Sequence, residues 1–178
     1  MIKYSVITTT YLRPEGLLKA MYSVFNQDYS AVEMVIVNDS PDCDYSIFEE
    51  NALVRELLKN SRIQYVKNST NMGSNFSRNL GLSLVSKGAD FIIFLDDDDW
   101  LIESCFEQTS KYLENNPRAD WLILDSYLDG RLLNSIKKQK GTYSYFIDYL
   151  LFKNIKGDCM HVIRSDAALK KRFCDFVK

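Results

Sequence analysis

Five consecutive apolar residues, Phe91-Ile92-Ile93-Phe94-Leu95, run straight into four consecutive aspartates, Asp96-Asp97-Asp98-Asp99. A strand with one face in water alternates apolar and polar residues, whereas a strand that is apolar at every position has to be covered on both faces. The run therefore predicts an inner strand of a mostly parallel sheet packed between helices. The aspartates would then stand at the strand's carboxyl end, where open α/β sheets bind their ligands.

Other segments fit such a sheet. Residues 4–10 form a short β-branched strand, and Pro14 opens a helix with Leu17, Leu18, Met21, Val24 and Phe25 on one face. Met34-Val35-Ile36-Val37 is a second strand, ending in the turn-forming cluster Asn38-Asp39-Ser40-Pro41. A helix follows from about residue 47 to 59, then a third strand at Ile63-Gln64-Tyr65-Val66. Ser74 is placed to cap a helix carrying Phe76, Leu80 and Leu84 on one stripe, with Gly88 closing it before the apolar strand. Ile102, Cys105, Phe106, Thr109, Tyr112 and Leu113 mark a further helix, and Trp121-Leu122-Ile123-Leu124 a further buried strand. Alternating strands and helices predict a three-layer α/β/α sandwich. Past Gly130 the pattern weakens to a basic patch at Lys137, Lys138 and Lys140, a helix over 143–152 and a strand over about 159–163.

Apolar residues make up 46% of the 178, enough for one core, so a single domain is expected over 1–178. The net charge of -2 offers no basic field, which argues against nucleic acid or an anionic membrane as partner. Cys43, Cys105, Cys159 and Cys174 are scattered without CxxC spacing and read as reduced thiols rather than zinc ligands or disulfides. Met1 to Ile7 enter a strand at once, leaving no room for a secretory leader, and no apolar stretch has the length of a membrane span. The expected location is the cytoplasm, at most peripheral at the inner face of the membrane, with no transmembrane segment.

Four adjacent carboxylates repel one another unless water or a cation compensates. Alternation along a strand end would let Asp96 and Asp98 converge while Asp97 and Asp99 turn to other partners. Two hard oxygen donors that share substrate phosphates suit Mg2+ or Mn2+. The alternative is a solvated loop with Asp99 capping the next helix. At the first strand end, Thr8, Thr9, Thr10, Tyr11 and Arg13 could pack on a base and bond a ribose, or simply turn the chain. Asp39 could accept the imide N–H of a uracil, or form an Asx turn. Between Asn71 and Gly81, the start of a helix with Arg78 one turn in could meet phosphate oxygens, or Arg78 could pair with the aspartates. Neither GxxxxGK[ST] nor GxGxxG is present, so kinase-like and dinucleotide-binding readings lose their support. The single histidine, His161, reads as a hydrogen-bonded packing residue.

Taken in order, five motifs resemble those of family 2 glycosyltransferases. They are Ser5-Val6-Ile7-Thr8-Thr9-Thr10-Tyr11-Leu12-Arg13-Pro14, Ser23-Val24-Phe25-Asn26-Gln27-Asp28-Tyr29, Val35-Ile36-Val37-Asn38-Asp39-Ser40, Asn71-Met72-Gly73 with Ser77-Arg78-Asn79-Leu80-Gly81, and Phe94-Leu95-Asp96-Asp97-Asp98-Asp99-Trp100. The resemblance is firm over residues 4–125 and implies a Rossmann-like GT-A fold and inverting transfer of a sugar from a nucleoside diphosphate donor, usually a UDP-sugar, to a saccharide or lipid-linked acceptor. By this likeness Thr9, Tyr11 and Asp39 hold the nucleoside, and Arg78 lies near the phosphates. Asp96 and Asp98 form the DXD metal and diphosphate pair with Mg2+ or Mn2+. Arg13, Asn71, Gly73 and Asp97 complete the nucleotide-sugar set. Residues 1–125 would be the nucleotide-sugar half and 126–178 part of the acceptor side.

The family commonly draws its base from an acidic Glu-Asp motif after a strand like Met160-His161-Val162-Ile163-Arg164, and the 178 residues stop about where that motif would be approached. The chain is therefore expected to fall short of the usual base. Asp158 is the candidate carboxylate on the acceptor side, with a turn role as its plainer explanation, and Asp125 reads as a loop residue. Two other functions suit parts of the pattern: a nucleotide-sugar-binding module without turnover, and a receiver-like Mg2+ site. The second requires paired acids after the first strand, where Thr8 to Tyr11 supply none.

Overall fold

A computed structural model describes residues 1–124, 126–128, 131–132 and 160–174. In chain order these form β1 (Tyr4–Thr10), α1 (Pro14–Phe25), β2 (Val32–Asn38), α2 (Ser46–Glu49), α3 (Ala52–Lys59), β3 (Ile63–Lys67), α4 (Ser74–Leu84), β4 (Phe91–Phe94), α5 (Cys105–Asn115) and β5 (Trp121–Leu124). The short β6 (Tyr127–Leu128) and β7 (Arg131–Leu132) follow, then β8 (Met160–Arg164) and α6 (Ser165–Ala168). The expected helix over 143–152, the basic patch, Asp125, Asp158 and Cys159 lie outside the described residues.

Six strands make one sheet in the order β3-β2-β1-β4-β8-β5, and β6 pairs with β7 in a small separate ladder. β1 runs parallel to β2 from Tyr4↔Val32 to Thr10↔Asn38, and parallel to β4 from Tyr4↔Phe91 to Ile7↔Phe94. β8 inserts antiparallel between β4 and β5. The sheet is thus mostly parallel and β4 lies inside it, as its unbroken apolar run requires.

Alternate residues of β1 enter different layers. Tyr4 and Val6 join Leu17, Met21 and Val24 of α1, Phe48 of α2, Val54 of α3 and Phe106 of α5 in the larger core. Ile7 faces the other way, onto a smaller core with Val35, Ile92 and Leu82 of α4. Helices therefore cover both faces and the three-layer sandwich holds.

Three local expectations are corrected. The helix over 47–59 is broken into α2 and α3, because Asn51 adopts extended geometry and its side chain caps the backbone N–H groups of Leu53 and Val54. On α4 the buried residues are Ser77, Gly81 and Leu82, while Phe76 is exposed. A Cβ at Gly81 would come within 2.6 Å of Ile7 Cγ2, so small residues let this helix seat closely on β1 and turn the bulkier stripe aside. Trp121 to Leu124 form an edge strand, and Trp121 is exposed.

His161 on β8 accepts a 2.9 Å hydrogen bond at Nδ1 from the indole N–H of Trp121 across the β5–β8 ladder. Burial lowers its pKa below the ordinary histidine value. On acidification the unfolded chain takes up this proton first, so the neutral imidazole contributes stability at neutral pH that is lost as the pH falls through its folded pKa. Thermal melts of wild type and His161→Gln between pH 7 and pH 5 should show the steeper loss in wild type.

Candidate functional site

β4 stops at Phe94, and Leu95 N donates to Ile7 O (3.0 Å), so the segment stays alongside β1 for one more residue. The chain then turns, with Asp99 N donating to Asp96 O at 3.1 Å. Asp97 faces inward and is buried. Its Oδ2 accepts from the Thr10 hydroxyl (2.8 Å) and Tyr11 N (3.3 Å), and its Oδ1 from Arg13 Nη1 (3.1 Å). The one hydroxyl proton of Thr10 goes to this carboxylate, so Tyr45 must donate in the 2.8 Å contact between the two hydroxyls.

With Asp97 turned in, Asp96, Asp98 and Asp99 are left on the outside, each with a carboxylate oxygen within 4.8 Å of the others. The expected convergence of Asp96 and Asp98 is present, but Asp99 joins it. Strand alternation ends at Phe94, and the turn that replaces it returns the fourth carboxylate to the same side. Asp99 is not the cap of α5, a position held by Ser104. Arg78 Nη2 reaches Asp96 at 2.8 Å, and Arg13 Nη1 bridges from Asp97 to Asp98 Oδ2 at 2.7 Å. Hydrogen bonding to Asp97, and then the charge of Asp98, push the Arg13 pKa further up.

Asp39 closes β2 and organises the loop opposite. It is buried, with Oδ1 accepting from Asn68 Nδ2 (2.6 Å) and Met72 N (2.8 Å), and Oδ2 from Gly73 N (2.7 Å). The Asx turn belongs to Asn38, whose Oδ1 takes Ser40 N at 2.8 Å. Gly73, at φ +87, is the cap position of α4 in place of Ser74, because this left-handed backbone is open to glycine. Asn71 Oδ1 also accepts from Gly73 N, at 3.1 Å.

Thr9, Tyr11, Arg13, Asp39, Asn71, Gly73, Arg78, Asp96, Asp97 and Asp98 all line one open cleft of about 390 Å3 at the carboxyl ends of β1, β2 and β4. Asp158 falls outside the described residues. Sequence reasoning missed Asn68 and Tyr45, whose contacts span distant segments. It also missed Gly16 in the first turn of α1. An added Cβ there would lie 2.4 Å from the backbone carbonyl oxygen of Asp97, so the helix start and the acidic turn touch directly. Gly16→Ala should cost about 1–3 kcal/mol in urea unfolding through overpacking. By shifting the turn it should also weaken Mn2+ binding in a direct titration.

The glycosyl transferase family 2 model matches residues 5–176. An uncharacterized glycosyltransferase of Methanocaldococcus jannaschii is 28% identical over 95% of this chain and 58% of its own length. The GalNAc(5)-diNAcBac-PP-undecaprenol beta-1,3-glucosyltransferase of Campylobacter jejuni is 36% identical over 57% of this chain and 31% of its own. Among solved structures, S. aureus TarS superposes with a TM-score of 0.74 at 21% identity, covering 95% of this chain and 48% of that one. TarS in complex with UDP-GlcNAc gives 0.60 at 23% identity, covering 73% and 36%. The chain thus spans little more than half the length of the first of these relatives and about a third of the second. The likeness to TarS is one of GT-A fold. No helix among the described residues is long and apolar enough to cross a membrane.

Proposed function

Since the chain belongs to glycosyl transferase family 2, we propose that its cleft binds a UDP-sugar with Mg2+ or Mn2+. The protein then transfers the sugar, with inversion, to a hydroxyl of a saccharide or lipid-linked acceptor. On this reading 1–178 forms one domain, with the donor half in 1–125 and part of the acceptor side in 126–178. The observation that carries it is the meeting, in one cleft, of the outward carboxylates of Asp96 and Asp98, two arginines and the Asp39 loop, with a carboxylate oxygen of Asp99 within 4.8 Å of the first two. The UDP-GlcNAc complex of TarS and the lipid-linked saccharide in the name of the Campylobacter relative support the choice of donor and acceptor.

The donor set fits a hard divalent cation. Oxygens on one octahedral Mg2+ lie about 3 Å apart when adjacent and about 4 Å apart when opposite, and the three carboxylates bring one oxygen each within 4.8 Å of one another. Asp96 and Asp98 are the proposed DXD pair, and Asp99 can supply a third oxygen. A bound cation would supply Lewis-acid stabilisation of the departing diphosphate. Arg78, at the cleft wall, would orient phosphate oxygens with charge-assisted hydrogen bonds. Arg13 would do so from the opposite side once released from Asp98.

For the nucleoside, Asp39 Oδ2 takes a single donor among the described residues, from Gly73, and keeps a lone pair for the uracil imide N–H. The exposed ring of Tyr11 offers a surface for the base, and Thr9 a hydroxyl for the ribose. Asn71 and Gly73 shape that wall. Asp97 contributes from behind, holding Tyr11 and Arg13 in place. Inversion requires a base on the acceptor hydroxyl, and Asp158 is the carboxylate proposed for it.

Calorimetry with UDP and Mn2+ should detect binding to wild type. Asp98→Ala should weaken it at least as much as the roughly 10-fold to 100-fold lost with an outer-shell partner of a metal. Unchanged affinity in Asp98→Ala would sink the cation reading. Turnover is tested separately, by UDP release from UDP-sugars. Asp158→Asn should abolish release without altering UDP affinity, and no release by wild type would favour a binding module.

A further inference from the structure

On the far side of α4 from the Asp39 loop, two asparagines one helical turn apart hold a segment from the other end of the chain. Asn79 Nδ2 donates to Phe173 O (2.9 Å), and Phe173 N donates back to Asn79 Oδ1 (2.8 Å). Asn75 Nδ2 donates to Cys174 O at 2.8 Å. Asn79 and Phe173 are 94 positions apart, and one side-chain amide satisfies both backbone groups of Phe173 as a neighbouring strand would. This fixes the phenyl ring more closely than apolar packing alone does. The ring stands edge-on to Phe94, the last residue of β4, with centroids 5.2 Å apart and planes at 86°. The guanidinium carbon of Arg78 lies 5.7 Å from the ring centroid, within cation–π reach. From there Arg78 Nη2 meets Asp96 at 2.8 Å.

We propose that Phe173, held by Asn79 and Asn75, is a positioning residue for Arg78. Its ring fixes the guanidinium over the cleft so that its donors face the diphosphate of a bound nucleotide. Mere cover for the smaller core would need an apolar side chain there, but not two asparagines gripping its backbone, nor a cation over its face. The proposal rests on the nucleotide reading of the cleft and adds to it a residue that touches no ligand. Its reach is specific: the diphosphate should feel the loss of Phe173, and the nucleoside should not.

The test is calorimetry of uridine and of UDP, each with Mn2+, on the full chain. Phe173→Leu keeps an apolar side chain while removing the ring. It should weaken UDP about fivefold, in the range of one lost cation–π contact, and leave uridine affinity unchanged. Phe173→Tyr should restore UDP affinity, and Asn79→Ala should reproduce the selective loss. In an Arg78→Ala background Phe173→Leu should have no further effect, because the two residues act as one unit. Equal losses for uridine and UDP, unchanged UDP affinity in Phe173→Leu, or full additivity with Arg78→Ala would each overturn the proposal. A wild type that binds UDP but is indifferent to Phe173→Leu refutes the positioning role alone. A wild type that binds neither ligand refutes the nucleotide reading and this proposal with it.

Discussion

Four consecutive carboxylates cannot all face the same way without severe mutual repulsion, and the fold answers this by burying one of them. Asp97 gives up water and receives Thr10, Tyr11 and Arg13 in return. A desolvated carboxylate is tolerable only with such donors, and all of them come from the end of β1 and the residues just after it. This exchange sets the orientation of the turn. Once Asp97 points inward, Asp96, Asp98 and Asp99 are directed to solvent on one side. The contact between Gly16 and the Asp97 carbonyl presses the first turn of α1 against the same point. The acidic site is therefore a property of β1, α1 and β4 together rather than of its own loop.

The same reasoning shows what a linear reading can and cannot recover. The covered strand 91–95, the polar strand ends and the layered architecture were legible because burial on two faces leaves a pattern in consecutive residues. The position of Asp99 beside Asp96 and Asp98 was not, since strand periodicity was carried past Phe94, where the backbone had already turned. Ser74 looked like a cap by residue type, yet the φ of +87 selects the glycine before it. Phe76 looked buried by its size, but the close seat of Gly81 on Ile7 rotates α4 so that smaller residues face the sheet. Spacing alone also could not reveal that β8 returns antiparallel between β4 and β5, a pairing across some seventy intervening residues in the first case. Asn68, Tyr45 and Phe173 likewise act through contacts that join remote parts of the chain.

The two arginines show how the cleft keeps its acidity usable. Arg13 pairs with Asp97 and Asp98, and Arg78 with Asp96, so guanidinium charge already stands against three of the four carboxylates. The outer pairs, Arg13–Asp98 and Arg78–Asp96, are solvent-exposed, and exposed pairs contribute little and exchange partners easily. Only the Asp97 end of the Arg13 bridge is buried. Arg13 is thus anchored at its inner contact and replaceable at its outer one, while Arg78 is supported from behind by the Phe173 ring. On the proposed reading, Asp96 and Asp98 would hold the cation, leaving Arg78 and the outer side of Arg13 available to the diphosphate. By linkage, cation and nucleotide would then strengthen each other's binding to the same extent, and the two arginines would add to the coupling that a cation shared between carboxylates and diphosphate already gives.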